Sequence, residues 1–296
     1  MDSTAVRELT AINVDDLLAS LGLEKVRRGR GLLRSLFWFA GRRFARQVLD
    51  YDDGVERMGL QAGAERILNG FINSRTVTGV EHLPATGPLL ILANHPGMTD
   101  TVALFASLPR ADLKVVASDR PFLRALPATC RHLIFVPEHG EGRIAVLRSI
   151  AAHLRAGGAV LTFPAGDIEP DPACMPGALR SLERWSDSIG FFSRLVPDAC
   201  IVPAIISGVI APQSLAHPLT RLRRRQKDRE KLAASLQIFV RSFAPRLWPV
   251  HVKVQFGPPL PSASLAGIRE PGAATQVVIE HVRAFLLEND IMNGSA

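Results

Sequence analysis

A layered α/β fold is what this sequence predicts: a largely parallel β-sheet flanked by helices, with a helical N-terminal region ahead of it. From Thr76 onward, short apolar runs alternate with segments of helical period, the texture of strands buried between helical layers. Up to about Asn73 the chain reads as helical and carries no strand signal. Two regions are therefore expected, residues 1–75 helical, basic and amphipathic, and residues 76–296 the α/β domain.

Within the first region Leu33, Phe37, Ala40, Phe44 and Val48 recur at helical spacing, so one face of a helix is apolar. Leu36, Trp38 and Phe39 widen that side, and Arg34, Arg42, Arg43 and Arg46 lie elsewhere on the wheel. Two readings fit: a segment lying in a membrane interface, or a core-packing helix whose arginines are solvated. Charge bears on the choice. The 296 residues carry 35 Lys and Arg against 28 Asp and Glu, a formal +7. Eight of the bases fall between Lys25 and Leu49 with no acid among them, and the rest of the chain has 27 bases against 28 acids. Such local positive charge expects an anionic partner, and an anionic membrane surface met through residues 25–49 is the first choice.

Strands are expected at Pro88–Ala93, Leu113–Ala117, Leu133–Val136, Ala159–Phe163, Ile201–Ile206 and Val250–Phe256. Between them Ile144, Leu147, Ala151 and Leu154 mark a helix that Gly157 and Gly158 end. The basic stretch Arg221–Lys231 opens a helix running to about Phe243, with a solvated face as its expected role.

Several classes are excluded by composition and pattern. At 47% hydrophobic and 21% charged the chain is a folded protein, not a disordered one. Cys130, Cys174 and Cys200 are too scattered for a disulfide or zinc framework, so a reducing compartment is expected, with neither metal nor cofactor. Nothing resembles a membrane span of about 20 apolar residues, and the start lacks the basic and apolar parts of a signal peptide. A nucleic-acid partner is not expected: aromatics are 6%, and no helix-turn-helix, zinc or RNA-binding motif interrupts the pattern.

The chemistry-bearing residues cluster at strand ends. Pro88–Ala93 runs into Asn94-His95-Pro96-Gly97-Met98-Thr99-Asp100, where a turn entering a helix brings the Asp100 carboxylate onto the His95 imidazole. That pairing fixes the tautomer and raises the basicity of the other ring nitrogen, as a general base requires. A histidine in a capped turn has the same spacing, so His95 and Asp100 alone decide little. A second strand ends in Phe163-Pro164-Ala165-Gly166-Asp167-Ile168-Glu169, and a third carries Val202-Pro203. Asp167, Glu169 and Asp171 form an acidic cluster for which loop solvation is the expected explanation and cation binding the alternative.

Taken together, NHPGMTD (94–100), FPAG (163–166) and IVPA (201–204) resemble the first, third and fourth blocks of the glycerolipid acyltransferase family, typified by 1-acylglycerol-3-phosphate acyltransferase. The resemblance covers about residues 75–210. It implies that His95 deprotonates an acceptor hydroxyl with Asp100 orienting it. It further implies that the hydroxyl attacks the thioester of an acyl-CoA or acyl-carrier protein with no acyl-enzyme. Phe163, Pro164 and Gly166 would then flank the acceptor head group, Pro203 the acyl-donor side, and Asn94 and Gly97 the substrate surface around His95. The implied function is O-acyl transfer to a lysolipid hydroxyl in phospholipid synthesis, on the cytoplasmic, inner face of a membrane.

Departures from the pattern bear on the acceptor. Ala165 stands where the family's glutamate is usual, Ile168 where an arginine is common, and Glu169 at a serine position. At this block the chain looks similar to the hemolysin-like and lyso-ornithine-lipid branch. The second block is represented by IFVPEHGEGR (134–143), with Glu138 near the expected arginine and Arg143 several residues late. Arg143 reads equally as an anion contact or as an exposed residue at a helix start, and Arg120 is a further candidate. The alternative these departures leave is a catalytically inactive, lipid-binding relative.

Overall fold

A computed structural model describes residues 3–137, 142–265 and 267–288. Three helices come first: α1 (Ser3–Ser20), α2 (Arg30–Met58) and α3 (Leu60–Phe71). Gly59, at φ 86°, makes the break between α2 and α3 in a conformation other residues adopt only with strain. The chain continues through β1 (Ser74–Thr78), β2 (Leu89–Ala93), α4 (Met98–Ser107) and β3 (Lys114–Ser118). Two short helices follow, α5 (Pro121–Arg124) and α6 (Pro127–Cys130), then β4 (Leu133–Val136), α7 (Arg143–Arg155) and β5 (Ala159–Thr162). The remainder is α8 (Ala178–Ser181), α9 (Ser188–Leu195), β6 (Cys200–Ser207), α10 (Pro212–Leu215), α11 (Gln226–Phe243), β7 (His251–Phe256), β8 (Leu260–Pro261) and α12 (Pro271–Glu288).

The strands form one sheet in the order β1-β7-β6-β2-β5-β3-β4, with β8 paired to the start of β6. Every neighbouring pair is parallel except β6 with β7 and β6 with β8. The largely parallel sheet expected from the sequence is therefore present. β2 is buried at all five positions because both faces are covered. Leu89, Ile91 and Ala93 face one core with α3 and α4, while Leu90 and Leu92 face a second with α7, α9 and α12. Each Leu or Ile so buried stabilises the fold by about 1.5–3 kcal/mol. Central strands β6, β2 and β5 run in the same direction, so the loops leaving their C-terminal ends meet at one edge of the sheet. Connections diverge on either side of β2 there, and in such sheets that crevice is where ligands sit.

The helical region differs from expectation in which side of α2 it buries. Ala40 and Val48 of the periodic face are buried and Phe37 and Phe44 half-buried, packed toward the protein. Leu36 and Phe39, read from the sequence as a widening of that face, are instead 70% and 71% exposed, and Leu32 is 78% exposed. These three form a second stripe at the same helical spacing. It continues onto α11, where Phe243 lies 5.8 Å from Phe39, ring centroid to centroid. Among the described residues no helix is long and apolar enough to cross a membrane.

Candidate active site

The turn after β2 is tied to both neighbouring strands. Asn94 is buried, and its amide both donates to the Ile206 carbonyl (2.9 Å) and accepts from the Ile206 N–H (2.8 Å), extending the β2–β6 ladder by one side chain. That commits both of its polar ends to β6, so Asn94 shapes the turn rather than facing the substrate surface proposed for it. Gly97 is likewise buried. A Cβ there would lie 3.0 Å from Ile210 Cδ1, so a larger residue needs that side chain to give way.

His95 projects from this turn with 29% of its side chain exposed, and its Nδ1 lies 2.8 Å from Asp100 Oδ2. Asp100 is fully buried in the first turn of α4, where the helix dipole favours a carboxylate. Its Oδ2 also accepts from the Gly97 N–H at 2.8 Å. Its Oδ1 accepts from the Thr101 N–H and, at 3.0 Å, from Thr101 Oγ1. Four donors thus hold this carboxylate, and a carboxylate so held is an acceptor, which assigns the Nδ1 proton to His95. Nε2, the other ring nitrogen, has no hydrogen-bond partner among the described residues. Burial opposes charging of the imidazole, but Asp100, Glu169 and Asp167 outweigh it, and the pKa is raised.

The loop after β5 packs on the same ring. Phe163 lies 4.7 Å from His95, centroid to centroid, tilted by 36°. The Gly166 N–H closes a turn onto the Phe163 carbonyl at 3.0 Å, with Pro164 buried inside the turn. Gly166 takes φ 65° and is exposed with open space where its Cβ would be. The conformation, and not a crowded approach, is what selects glycine there.

Loop solvation fails for two of the three acids in this loop. Asp167 is the exception, half-exposed and paired with Lys227 and Lys231 of α11. The basic stretch expected to present a solvated face is therefore partly occupied by the β5 loop. Glu169 is 1% exposed: one oxygen accepts from the His95 N–H (3.1 Å) and the other from Trp185 Nε1 (3.1 Å). Asp171 is fully buried and gathers the N–H groups of Ala173, Gly208, Val209 and Ile210 at 2.8–3.0 Å, joining the β5 loop to the β6 loop. Burial raises the pKa of both carboxyls, against the lowering effect of these donors. Among the described residues no cluster of His, Cys, Asp or Glu is arranged to hold a metal.

Two expected contacts are engaged elsewhere. Pro203 is buried inside β6, paired with Leu92 and packed beside Gly257. It sits where the neighbour of β6 changes from β8 to β7, so its missing N–H interrupts no ladder, and it lies away from the His95 turn. Arg120, at the start of α5, is close enough to Asp16 of α1 to act on its charge. Arg143 begins α7, but its side chain, like Glu138 and residues 139–141, lies outside the described residues.

Residues 74–207 match a family model described as Acyltransferase, from the first residue of β1 to the last of β6. Over those residues the chain is similar to the acyltransferase family. The acyltransferase match takes in the β2 turn, the β5 loop and β6, and leaves α1–α3, α11, β7 and β8 outside it. Among solved structures the chain is similar to the 1-acyl-sn-glycerophosphate (LPA) acyltransferase, PlsC, from Thermotoga maritima. That likeness is at 14% identity over 94% of this chain and 97% of that one, with a TM-score of 0.43. No curated protein matches the sequence.

Proposed function

We propose that this acyltransferase moves a fatty acyl chain from the thioester of acyl-CoA or acyl-carrier protein to the hydroxyl of a lysolipid, at an anionic membrane surface on its cytoplasmic face. The observation that carries this reading is the His95 imidazole, bound at Nδ1 by a buried carboxylate and free at Nε2. In the proposed reaction Nε2 takes the acceptor's hydroxyl proton as its oxygen attacks the thioester carbonyl. The C–O bond forms, the C–S bond breaks, and the imidazolium returns its proton to the leaving thiolate. Asp100 stabilises the imidazolium through the step. Gly166, exposed, and Phe163, half-buried against the ring, are suited to the acceptor's head group, while Ala165 and Ile168 leave a phosphate without the arginine common at this block.

The test is release of free thiol from acyl-CoA or acyl-carrier protein by the purified chain, with anionic vesicles and a panel of lysolipids with and without a phosphate. Turnover dependent on His95 supports the reading. Vesicle binding with silence across donors and acceptors would instead favour an inactive, lipid-binding relative.

The raised pKa of His95 gives this activity a pH dependence. The base must be neutral, so transfer is expected to fall as the pH drops through a midpoint above the ordinary imidazole value of about 6.5. A kcat/KM profile flat down to about pH 5 would contradict that assignment.

For the membrane, the exposed stripe Leu32, Leu36 and Phe39 is the proposed contact, with Phe243 and Leu247 beside it and exposed Arg42, Arg43 and Arg46 around it. Leu36→Glu combined with Phe39→Glu removes two apolar side chains of about 1.5–3 kcal/mol each on insertion. Cosedimentation with anionic vesicles is expected to weaken by at least about tenfold. Unchanged binding would place the contact elsewhere.

A further inference from the structure

Glu169 occupies a position where the family pattern has a serine, and it is the buried carboxylate nearest the His95 main chain. The contact is reciprocal: the His95 N–H donates to Glu169 Oε2 at 3.1 Å, and the Glu169 N–H donates to the His95 carbonyl at 2.8 Å. Trp185 Nε1 holds the other oxygen at 3.1 Å. Trp185 is 4% exposed and packed among Leu182, Ile189 and their neighbours in the second core, so the carboxylate is anchored in the body of the protein.

We propose that Glu169 is a positioning residue for His95, fixing the main chain of the catalytic turn and setting a second buried carboxylate beside the imidazole. This rests on the reading of His95 as the base. Asp100 fixes the ring from one side through Nδ1, and Glu169 fixes the backbone from which the ring hangs. Neither blocks Nε2. A serine at 169 accepts a hydrogen bond but carries no charge, so the substitution strengthens the base in a way the family pattern lacks.

Three acids act on the imidazole: Asp100 from α4, and Asp167 and Glu169 from the β5 loop. Asp167 is offset by Lys227 and Lys231 of α11, and Arg184 acts on Glu169 from the segment before Trp185. Glu169 differs from Asp167 in being shielded from solvent, and a charge screened less acts more strongly at a given distance.

The experiment titrates the His95 imidazole by NMR in the full-length chain without substrate, its signal assigned by loss in His95→Ala. Glu169→Gln, Glu169→Ser and Trp185→Phe are compared with the unaltered protein, each checked for cooperative melting. Both Glu169 variants are expected to titrate at a lower pH than the unaltered protein, and Trp185→Phe close to it. Where turnover is detected, both Glu169 variants should also lose about tenfold in kcat, as partners that orient a functional histidine do elsewhere. An unchanged midpoint in the folded variants overturns the proposal. So does an equal fall in Trp185→Phe, which would assign the effect to packing, or loss of fold in both Glu169 variants, which would make the residue structural. The titration needs no turnover, so it decides the role of Glu169 even if the lysolipid assay is silent.

Discussion

His95→Ala is expected to abolish acyl transfer while the chain stays folded. The imidazole is the group at the β2 edge with a free basic nitrogen, and general-base catalysis by such a group contributes about 10²–10⁴-fold. Stability should change little. The side chain is 29% exposed, and its removal leaves Asp100 with the Gly97 and Thr101 N–H groups and the Thr101 hydroxyl. The main-chain pairing of residue 95 with Glu169 does not involve the ring. Thiol release and thermal melting, measured on one preparation, separate the two effects. Full transfer by a variant that melts like the unaltered protein would sink the mechanism.

Asp100→Asn is expected to cost nearly as much activity and, unlike His95→Ala, to destabilise the protein. Each carboxylate oxygen accepts from two donors, His95 Nδ1 and the Gly97 N–H on one, the Thr101 N–H and hydroxyl on the other. An asparagine has a single acceptor oxygen and must aim an NH₂ at one of those pairs. Aimed at His95, it forces the tautomer with Nδ1 bare and the proton on Nε2, which cannot accept the hydroxyl proton. A wrong tautomer of this kind costs a serine-protease triad about 10⁴-fold. Aimed at Thr101, it leaves a buried N–H opposed, at about 1–3 kcal/mol. Either orientation lowers the melting temperature, and either removes the charge that stabilises the imidazolium, so turnover falls as well. Transfer retained within about tenfold would show that Asp100 caps the helix and does nothing to the ring.

The parts of the molecule legible in the sequence are those whose cause is local. Leu89–Ala93 is an unbroken apolar run because helices cover both faces of β2, and burial on both sides writes itself into every residue. The His95–Asp100 pairing is legible because a turn and one helical turn bring the two together within five residues. By contrast β1 was invisible. Its residues Ser74–Thr78 alternate between exposed and half-buried, so no apolar run marks the strand. Glu169 and Asp171 resemble solvated loop acids in sequence because their donors come from far away: His95 lies 74 residues from Glu169, and Gly208–Ile210 lie 37–39 from Asp171. Helix α2 carries two stripes with the same spacing, and only its packing decides which of them is covered. The wheel singled out Ala40 and Val48, which pack inward, whereas the outward stripe is Leu32, Leu36 and Phe39.

Helix α11 ties two distant places together. Near its first turns Lys227 and Lys231 grip Asp167 in the loop beside His95, and at its far end Phe243 meets Phe39 on the exposed stripe. Its 18 residues make a rod of about 27 Å. Stood upright on a lipid layer by its Phe243 end, the rod would hold the reacting nitrogen nearly its whole length above the head groups, beyond the reach of a hydroxyl still seated among them. Laid flat, it brings both ends to the same plane. If the proposed membrane contact is made, the protein would therefore recline, with α11 as the keel along the lipid surface.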